Sequence, residues 1–289
     1  MTIVCLIRHH IVRVGIIQIN KKMVKILIDS GSNLLHSEVK SLGIKELDYA
    51  ITESYQKYTS KNTWNIYSNN QIFSEQHKLS YSRPMFTENW VSILKWFFDE
   101  GYDVLYLAVS QKISNSILLL NTAYNLFKED YPDRKFVCID TKMIGRSLGY
   151  TAKKLKKLAD EGYPLENLIE IIQKFKNNTK TIWLPDIKEI PEDWNPEVYG
   201  ALTYDENGNI IPYKEFSSLE ESISNLQKEF KNYDSVEISY EGHWTPGGWK
   251  ELKTKEALLE FDNAKYYPIH PFIFYSLGMN VQEYTFIKE

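Results

Sequence analysis

The sequence predicts an α/β fold of two domains: a parallel sheet with helices on both faces, then a smaller mixed α/β domain. Between residues 23 and 177, short apolar runs alternate with amphipathic helical patterns, as βαβ units around a parallel sheet do. After residue 177 this alternation gives way to a hairpin pattern and a half-polar strand pattern. We therefore expect domains at 23–177 and 178–289, preceded by an N-terminal extension at 1–22.

The elements of the first domain are predicted from apolar runs and from residues that begin or end helices. Consecutive apolar residues in 25–29 indicate a strand buried on both faces, as in a parallel sheet. The run around Cys138 is typical of a central strand with a buried, inert thiol. In order, we expect strand 25–29, an irregular segment 55–78, a helix from Thr87 to Gly101, strand 104–109, a helix from Ser114 to Lys128, a strand around Val137, helix 146–162 and a helix from Pro164.

Three patterns define the second domain. Asn207-Gly208 is a hairpin turn signal between two short apolar runs. Ser218 and Glu221 have the spacing of a capping box at the start of a helix. In 236–240 apolar and polar residues alternate, which predicts a strand with one face in solvent.

The composition disfavours several classes of function. The formal net charge of −4 and the pI of about 6.0 do not favour general binding of nucleic acid. Cys5 and Cys138 form no CxxC or disulfide pattern, so we expect no structural zinc, no other metal and no cofactor. The apolar share of 43% and the charged share of 25% are typical of a globular cytoplasmic protein.

Residues 1–22 differ from the rest because they are basic and contain no acid. Arg8, His9, His10 and Arg13 interrupt the apolar run too often for a membrane span or a signal-peptide core. We therefore expect no integral membrane contact. Three interpretations of the segment stay open: translation that starts at Met23, an extra edge strand, or a disordered basic arm.

Three polar turns are candidates for binding a small ligand. Ligands of parallel sheets bind at the carboxyl ends of strands, where helix N-termini present free backbone N–H groups to an anion. The third turn opens a helix, and its serines are also ordinary cap residues, so plain capping is the competing interpretation. The turns are Asp29–Ser32, Ser80–Pro84 and Ser110–Ser116.

The order and spacing of five short motifs resemble those of the DegV family of fatty-acid-binding proteins, from Met23 to Lys288. Residues 25–34 are similar to the family's K-I-L-V-D-S-T-A-D-L, and residues 109–117 to its L-S-S-K-L-S-G-T-Y. The other matches are 81–85 with T-S-Q-P-S, 138–141 with V-V-D-T and 268–274 with T-T-H-V-G-P-G.

The resemblance implies a lipid carrier or presenter that holds an acyl chain in a tunnel between its two domains. Its carboxylate-binding positions correspond to Tyr81, Gln111 and His270, where Tyr and Gln replace a Thr and a Ser but remain hydrogen-bond donors. Arg83 is a candidate for two-pronged carboxylate binding, with a solvated loop charge as the alternative. For His270 the alternative is a structural role. The predicted ligand-binding set is Tyr81, Ser82, Arg83, Ser110, Gln111, Ser114 and His270.

The resemblance also implies a separate fatty-acid kinase as partner, with a basic K-G-G-R segment in the carrier. Here the corresponding segment 191–200 contains no arginine and no Gly-Gly pair, and it is shorter than the family pattern. We therefore expect kinase coupling to be weak or altered while lipid binding persists. Phosphoryl transfer to a lipid bound on this protein would contradict that expectation.

No constellation of residues predicts a catalytic site. The chain has no G-x-S-x-G elbow, and Gly247-Gly248-Trp249-Lys250 lacks the spacing of a phosphate loop, so Pro246-Gly247-Gly248 is interpreted as a turn. A Mg²⁺-dependent hydrolase is the least favoured alternative, because Asp29 lacks the second acid of an Asp-based phosphatase. The other alternative is a divergent member that has lost lipid binding and serves as a protein-interaction module.

Overall fold

The computed structural model describes residues 5–7, 10–12, 23–47, 49–53, 56–59, 81–84, 87–185, 199–240, 242–245, 248–251, 261, 263–270, 273, 277 and 281–289. The helices are α1 (His36–Leu42), α2 (Thr87–Asp99), α3 (Ser116–Asn125), α4 (Arg146–Asp160), α5 (Leu165–Asn177) and α6 (Leu219–Glu229). The strands are β1 (Cys5–Ile7), β2 (His10–Val12), β3 (Val24–Asp29), β4 (Lys45–Leu47), β5 (Tyr49–Glu53), β6 (Gln56–Thr59), β7 (Tyr81–Pro84), β8 (Asp103–Ala108), β9 (Phe136–Asp140), β10 (Thr179–Pro185), β11 (Tyr199–Tyr204), β12 (Ile210–Phe216), β13 (Ser235–Tyr240), β14 (Gly242–Thr245), β15 (Gly248–Glu251), β16 (Ala264–Pro268) and β17 (Val281–Ile287).

Strands β4, β3, β8 and β9 form, in that order, a parallel sheet that we call the N-terminal sheet. Every residue of β8 is buried, which agrees with its apolar run and its central place. The expectation of a central strand around Cys138 is wrong, because β9 pairs only with β8 in this part of the structure and lies at the edge of the sheet. Burial nevertheless raises the pKa of the Cys138 thiol to about 12, so the thiol stays protonated at neutral pH.

Helices cover both faces of the N-terminal sheet, as predicted. On one face, α2 and α3 pack against apolar side chains of β3 and β8. On the other face, α4 and α5 do the same. The first core contains Leu27, Trp90, Leu94, Phe97, Val104, Tyr106, Ile117 and Leu120, and the second contains Ile26, Ile28, Leu105, Leu107, Leu148, Leu155, Leu168 and Ile172.

The C-terminal sheet has the strand order β12, β11, β10, β17, β13, β16 and is mixed: β13 and β16 are parallel and the other pairs are antiparallel. One face packs on α6 through Ile182, Ile238 and Phe286. The opposite face reaches the second core of the N-terminal sheet, because Trp183 and Val281 belong to that core. The α/β class with a parallel and a mixed sheet is therefore confirmed.

Smaller antiparallel units complete the described backbone. Strand β1 pairs with β2, and β5 pairs with both β6 and β7. Because β6 begins at Gln56, the expectation of an irregular segment from 55 to 78 is wrong at its start, and 60–80 lie outside the described residues. Strands β14 and β15 pair on either side of the predicted turn. Among the helices described, none is both long and apolar enough to cross a membrane.

Two local predictions in the C-terminal half have different outcomes. The Asn207-Gly208 turn joins β11 to β12, and Gly208 has a φ of +80°, a conformation that glycine adopts at no steric cost. The capping box is only half formed: the Ser218 hydroxyl accepts the Glu221 N–H at 3.1 Å. The Glu221 carboxylate instead accepts the N–H of Ser217 at 2.7 Å, one residue earlier than a capping box requires.

The expectation that β13 is half in solvent is wrong. Glu237 is 5% exposed and Ser239 is 0% exposed, so both faces of the strand are buried. The reason is that α4 packs on the polar face and supplies cations to it. Lys153 Nζ lies 3.1 Å from the Glu237 carboxylate, and Arg146 Nε donates to the same carboxylate at 2.6 Å.

Arg146, the first residue of α4, joins the two sheets. Its guanidinium is 0% exposed and donates to Glu38 of α1 at 2.8 and 3.1 Å as well as to Glu237. Nη1 also donates to the carbonyl of Asn33 at 2.9 Å, and the Tyr267 ring lies 3.7 Å from the guanidinium carbon. Burial would lower the pKa of Arg146, but the carboxylates of Glu237 and Glu38 outweigh it and raise that pKa.

We expect Arg146→Met to destabilise the protein by roughly 3–5 kcal/mol, because it leaves buried carboxylates without their cation. Urea unfolding at neutral pH measures the change. The matched control is Lys154→Met, which removes a cation whose partner Glu289 is 62% exposed. That control should cost less than about 1 kcal/mol. Equal losses in the free energy of unfolding would show that the buried ion pairs of Arg146 stabilise the protein no more than the exposed ion pair of Lys154 does.

Candidate functional site

The polar residues that follow β3 and β8 meet at the carboxyl edge of the N-terminal sheet. Asp29, at the end of β3, is fully buried and accepts hydrogen bonds from the Tyr106 hydroxyl at 2.5 Å and the Val109 N–H at 2.7 Å. The hydroxyl of Ser116 also donates to it, at 3.3 Å. Asp29 therefore fixes the position of the turn between β8 and α3, which is a structural use of this carboxylate.

The turn between β8 and α3 carries three of the predicted ligand-binding residues. Ser110 and Ser114 are buried and are joined by a backbone hydrogen bond of 3.0 Å. The Ser110 hydroxyl donates to the carbonyl of Gly208 at 2.9 Å, so this turn contacts the β11–β12 hairpin. The side chain of Gln111 is exposed, and its backbone N–H donates to Asp140 at 3.2 Å. The structure thus brings Ser110 and Ser114 together and leaves the Gln111 side chain at the surface.

The capping interpretation of this turn is only partly right. The residue before α3 is Asn115, and its side chain makes no cap hydrogen bond. The hydroxyl of Ser114 accepts the N–H of Ser116 at 3.2 Å, as a helix cap would. The hydroxyls of Ser110 and Ser116 instead make contacts outside the helix, with Gly208 and Asp29.

His270 is 1% exposed and follows β16. Its backbone N–H donates to the side-chain oxygen of Asn33 at 2.7 Å, which brings it against the loop after β3. Burial lowers the pKa of the His270 imidazole to about 3, so the ring is neutral at physiological pH. A neutral imidazole has one N–H donor and one acceptor nitrogen.

The remaining predicted ligand residues lie in β7. Ser82 is the register partner of Ile51 in β5, with Tyr81 opposite Thr52 and Arg83 opposite Ala50. Only the backbone of these residues is described, so their predicted side-chain roles stay predictions. Most of the segment 191–200, on which the expectation of weak kinase coupling depends, lies outside the described residues.

Glu283 is a buried acid that the sequence analysis missed. It lies on β17 with 0% exposure and accepts the backbone N–H of Arg146 at 2.5 Å and the Thr285 hydroxyl at 3.1 Å. Burial raises the pKa of Glu283 to about 7, although Arg146 and the neighbouring donors oppose that increase. The apolar alternation of Val281–Ile287 was the available signal, since it places Glu283 on the face opposite Tyr284 and Phe286.

A cavity of about 630 Å³ opens beside the β11–β12 hairpin, between the end of β9, α5 and the start of β10. Ile139, Ile169 and Ile172 form its apolar wall. Its charged lining has both signs: Lys142, Lys176 and Lys180 with Asp140, Asp205 and Glu206. Its rim includes Asp205–Asn207, next to the Gly208 that Ser110 contacts. A cavity of this size accommodates a small organic ligand. Within the described ranges, no group of three or more His, Cys, Asp or Glu side chains is arranged to hold a metal ion.

Comparison with known proteins identifies the family. Residues 23–187 match the DegV family, described as a family of uncharacterised proteins, and the chain belongs to it. A DegV domain-containing protein of Streptococcus pneumoniae is 26% identical over 87 residues, which cover 30% of this chain and 31% of that protein. This match therefore spans about a third of the relative's length.

Two solved structures share the fold along nearly the whole chain. A DegV lipid-binding protein from Thermotoga maritima has a TM-score of 0.70 at 16% identity, covering 92% of this chain and 99% of the other. DegV, a fatty-acid-binding protein from Bacillus subtilis, has a TM-score of 0.71 at 13% identity, covering 92% and 100%. At these identities the likeness establishes the fold.

The contact between Ser110 and Gly208 can be tested by substitution, because it packs the turn between β8 and α3 against the β11–β12 hairpin. A Cβ on Gly208 would overlap the Ser110 hydroxyl and lie 3.0 Å from Lys142 Cα, at a φ of +80°. Gly43→Ala is the matched control, because Gly43 has a φ of +62° and nothing lies within 4 Å of its added Cβ. The control should cost only backbone strain, about 1–2 kcal/mol.

We expect Gly208→Ala to cost a further ~1–3 kcal/mol from overpacking, measured by urea unfolding. Adding Ser110→Gly removes the overlapping side chain and should recover part of that loss. Losses of the same size in Gly208→Ala and Gly43→Ala would contradict the contact.

Glu283 yields a prediction on pH. Because burial raises the pKa of Glu283 from its ordinary value of 4.5 to about 7, the folded state binds more protons than the unfolded state between those values. The stability that this residue contributes therefore falls as pH rises from about 4.5 to 7, by roughly 3 kcal/mol, and is level above that range. The free energy of unfolding of Glu283→Gln, subtracted from that of the wild type at each pH, should show this decline. A flat difference would contradict it.

Proposed function

We propose that this protein binds a long-chain fatty acid between its two domains, 23–177 and 178–289, as a lipid carrier or presenter without catalytic activity. The observation that carries the proposal is the near-complete structural correspondence with DegV proteins that bind lipid or fatty acid. Family membership over 23–187 supports it.

The described site is chemically suited to a fatty acid. Its polar part includes the buried hydroxyl of Ser114 and a neutral His270, and such groups can donate hydrogen bonds to a carboxylate. The Ser110 hydroxyl donates to the Gly208 carbonyl and would have to exchange that bond for one to the ligand. The nearby cavity combines an apolar wall with charged side chains of both signs, so it can take an apolar chain with a polar end. Of the predicted set, Gln111 is the weakest member because its side chain is exposed.

The first test is denaturing lipid extraction and mass analysis of the purified protein. A bound acyl chain gains about 0.8 kcal/mol per buried CH₂, so we expect one fatty acid per chain to survive purification. A purified protein that carries no lipid and does not bind added fatty acid would contradict the proposal. The protein-interaction module would then become the leading interpretation.

The role of His270 is tested with three variants. His270→Phe keeps a ring but removes the N–H donor, so the bound lipid should fall well below stoichiometric amounts. His270→Gln keeps a donor and should retain more lipid than His270→Phe. His36→Phe is the control, because His36 is exposed on α1, and it should leave lipid content unchanged. Thermal unfolding of each variant separates loss of lipid from loss of fold.

A further inference from the structure

Asn33 is a buried side chain that bridges the two sheets. It has 0% exposure and a left-handed backbone, with φ 53° and ψ 24°. Its side-chain oxygen accepts the N–H of His270 at 2.7 Å, and its side-chain nitrogen donates to the Glu283 carboxylate at 3.4 Å. One amide group from the loop after β3 therefore contacts two segments of the C-terminal half.

The bridge is held rigidly. The Asn33 carbonyl accepts from Arg146 at 2.9 Å, and its N–H donates to the Ser30 carbonyl at 3.3 Å. The backbone of the His270 segment is held as well, since Ile269 N–H donates to the Tyr240 carbonyl at 3.0 Å. A side chain whose polar atoms are all engaged has little freedom to move, so it can set the position of its neighbours.

We propose that Asn33 is a positioning residue for His270, acting as an amide bridge between Glu283 and the main chain of the ligand-binding histidine. This inference rests on the proposed fatty-acid function. In that function, the direction of the His270 imidazole depends on where its own backbone is held. Asn33 holds the His270 backbone from the loop after β3.

An amide suits this position because it supplies an acceptor and a donor at once. A carboxylate at this position would face Glu283 without a donor. Two carboxyls so close do not both ionise readily. The other groups that face Glu283 are the Arg146 N–H and charge, the Thr285 hydroxyl, the Trp183 indole and the Tyr204 phenol.

The competing explanation is that asparagine serves only the left-handed turn, where it is a favoured residue. Asn33→Gly separates the two roles, because glycine adopts this backbone conformation freely and lacks both side-chain bonds. Asn33→Asp keeps the acceptor for His270 and turns the contact with Glu283 into a carboxyl pair. Asn33→Asp combined with Glu283→Gln restores an amide–carboxylate pair with the roles exchanged.

The experiment measures exchange of radiolabelled oleate into the full-length protein across pH, with thermal unfolding to verify folding. We expect Asn33→Gly to weaken oleate binding roughly tenfold to a hundredfold, the effect of losing two buried hydrogen bonds. Asn33→Asp should bind well at acidic pH and progressively worse above neutrality. The double variant should recover binding at high pH. Full affinity in folded Asn33→Gly, or no recovery in the folded double variant, would overturn the proposal.

A second measurement needs no lipid. Hydrogen exchange at the His270 amide should accelerate in Asn33→Gly and slow again in the double variant. If the wild type binds no oleate, the proposed function fails, and this exchange still decides whether Asn33 holds His270. Unchanged exchange at His270 would overturn the positioning role even if the wild type binds oleate.

Discussion

The arrangement of the two sheets depends on one buried cation, the guanidinium of Arg146. A charged group removed from water is tolerated only where opposite charges and hydrogen bonds replace its hydration. Those partners come from both halves of the protein: Glu38 and the Asn33 carbonyl from the N-terminal half, and Glu237 from the C-terminal sheet. Because charge-assisted hydrogen bonds have strict geometry, they fix how the two sheets lie against each other.

The cluster of Arg146, Glu38 and Glu237 explains why the face of the C-terminal sheet toward α4 is buried yet polar. Thr181 and Thr285 lie within 3.0 Å of each other, and the Thr203 hydroxyl donates to the Thr181 carbonyl at 2.8 Å. Burial raises the pKa of Glu283 on the same face, whereas the charges of Arg146 and Lys153 outweigh burial at Glu237 and lower its pKa to about 2. The pKa values of two acids on neighbouring strands are thus shifted in opposite directions, because of these two only Glu237 contacts the guanidinium.

The sequence predicted the helices and strands better than it predicted what packs against each of their faces. Periodicity indicates which side chains share a face, so α2 and its buried Trp90, Leu94 and Phe97 were predictable. Periodicity does not indicate what covers the second face, and for that reason Glu237 and Ser239 were wrongly expected to meet solvent. The family resemblance located the turn at Ser110 but could not show that the Gln111 side chain is exposed. The contact between Asn33 and Glu283 could not be predicted, because 250 residues separate the two along the chain.

The charges around Arg146 also limit how a lipid carboxylate could be held in the proposed site. Arg146 is already neutralised by Glu38 and Glu237, and Lys153 contacts the same two acids. A lipid carboxylate that approached this cluster would add a third negative charge rather than complete a pair. Neutral donors, such as the Ser114 hydroxyl and the uncharged His270, avoid that repulsion. Because the charge of Arg146 is already paired, we assign the lipid carboxylate of the proposed site to neutral hydrogen-bond donors rather than to this guanidinium.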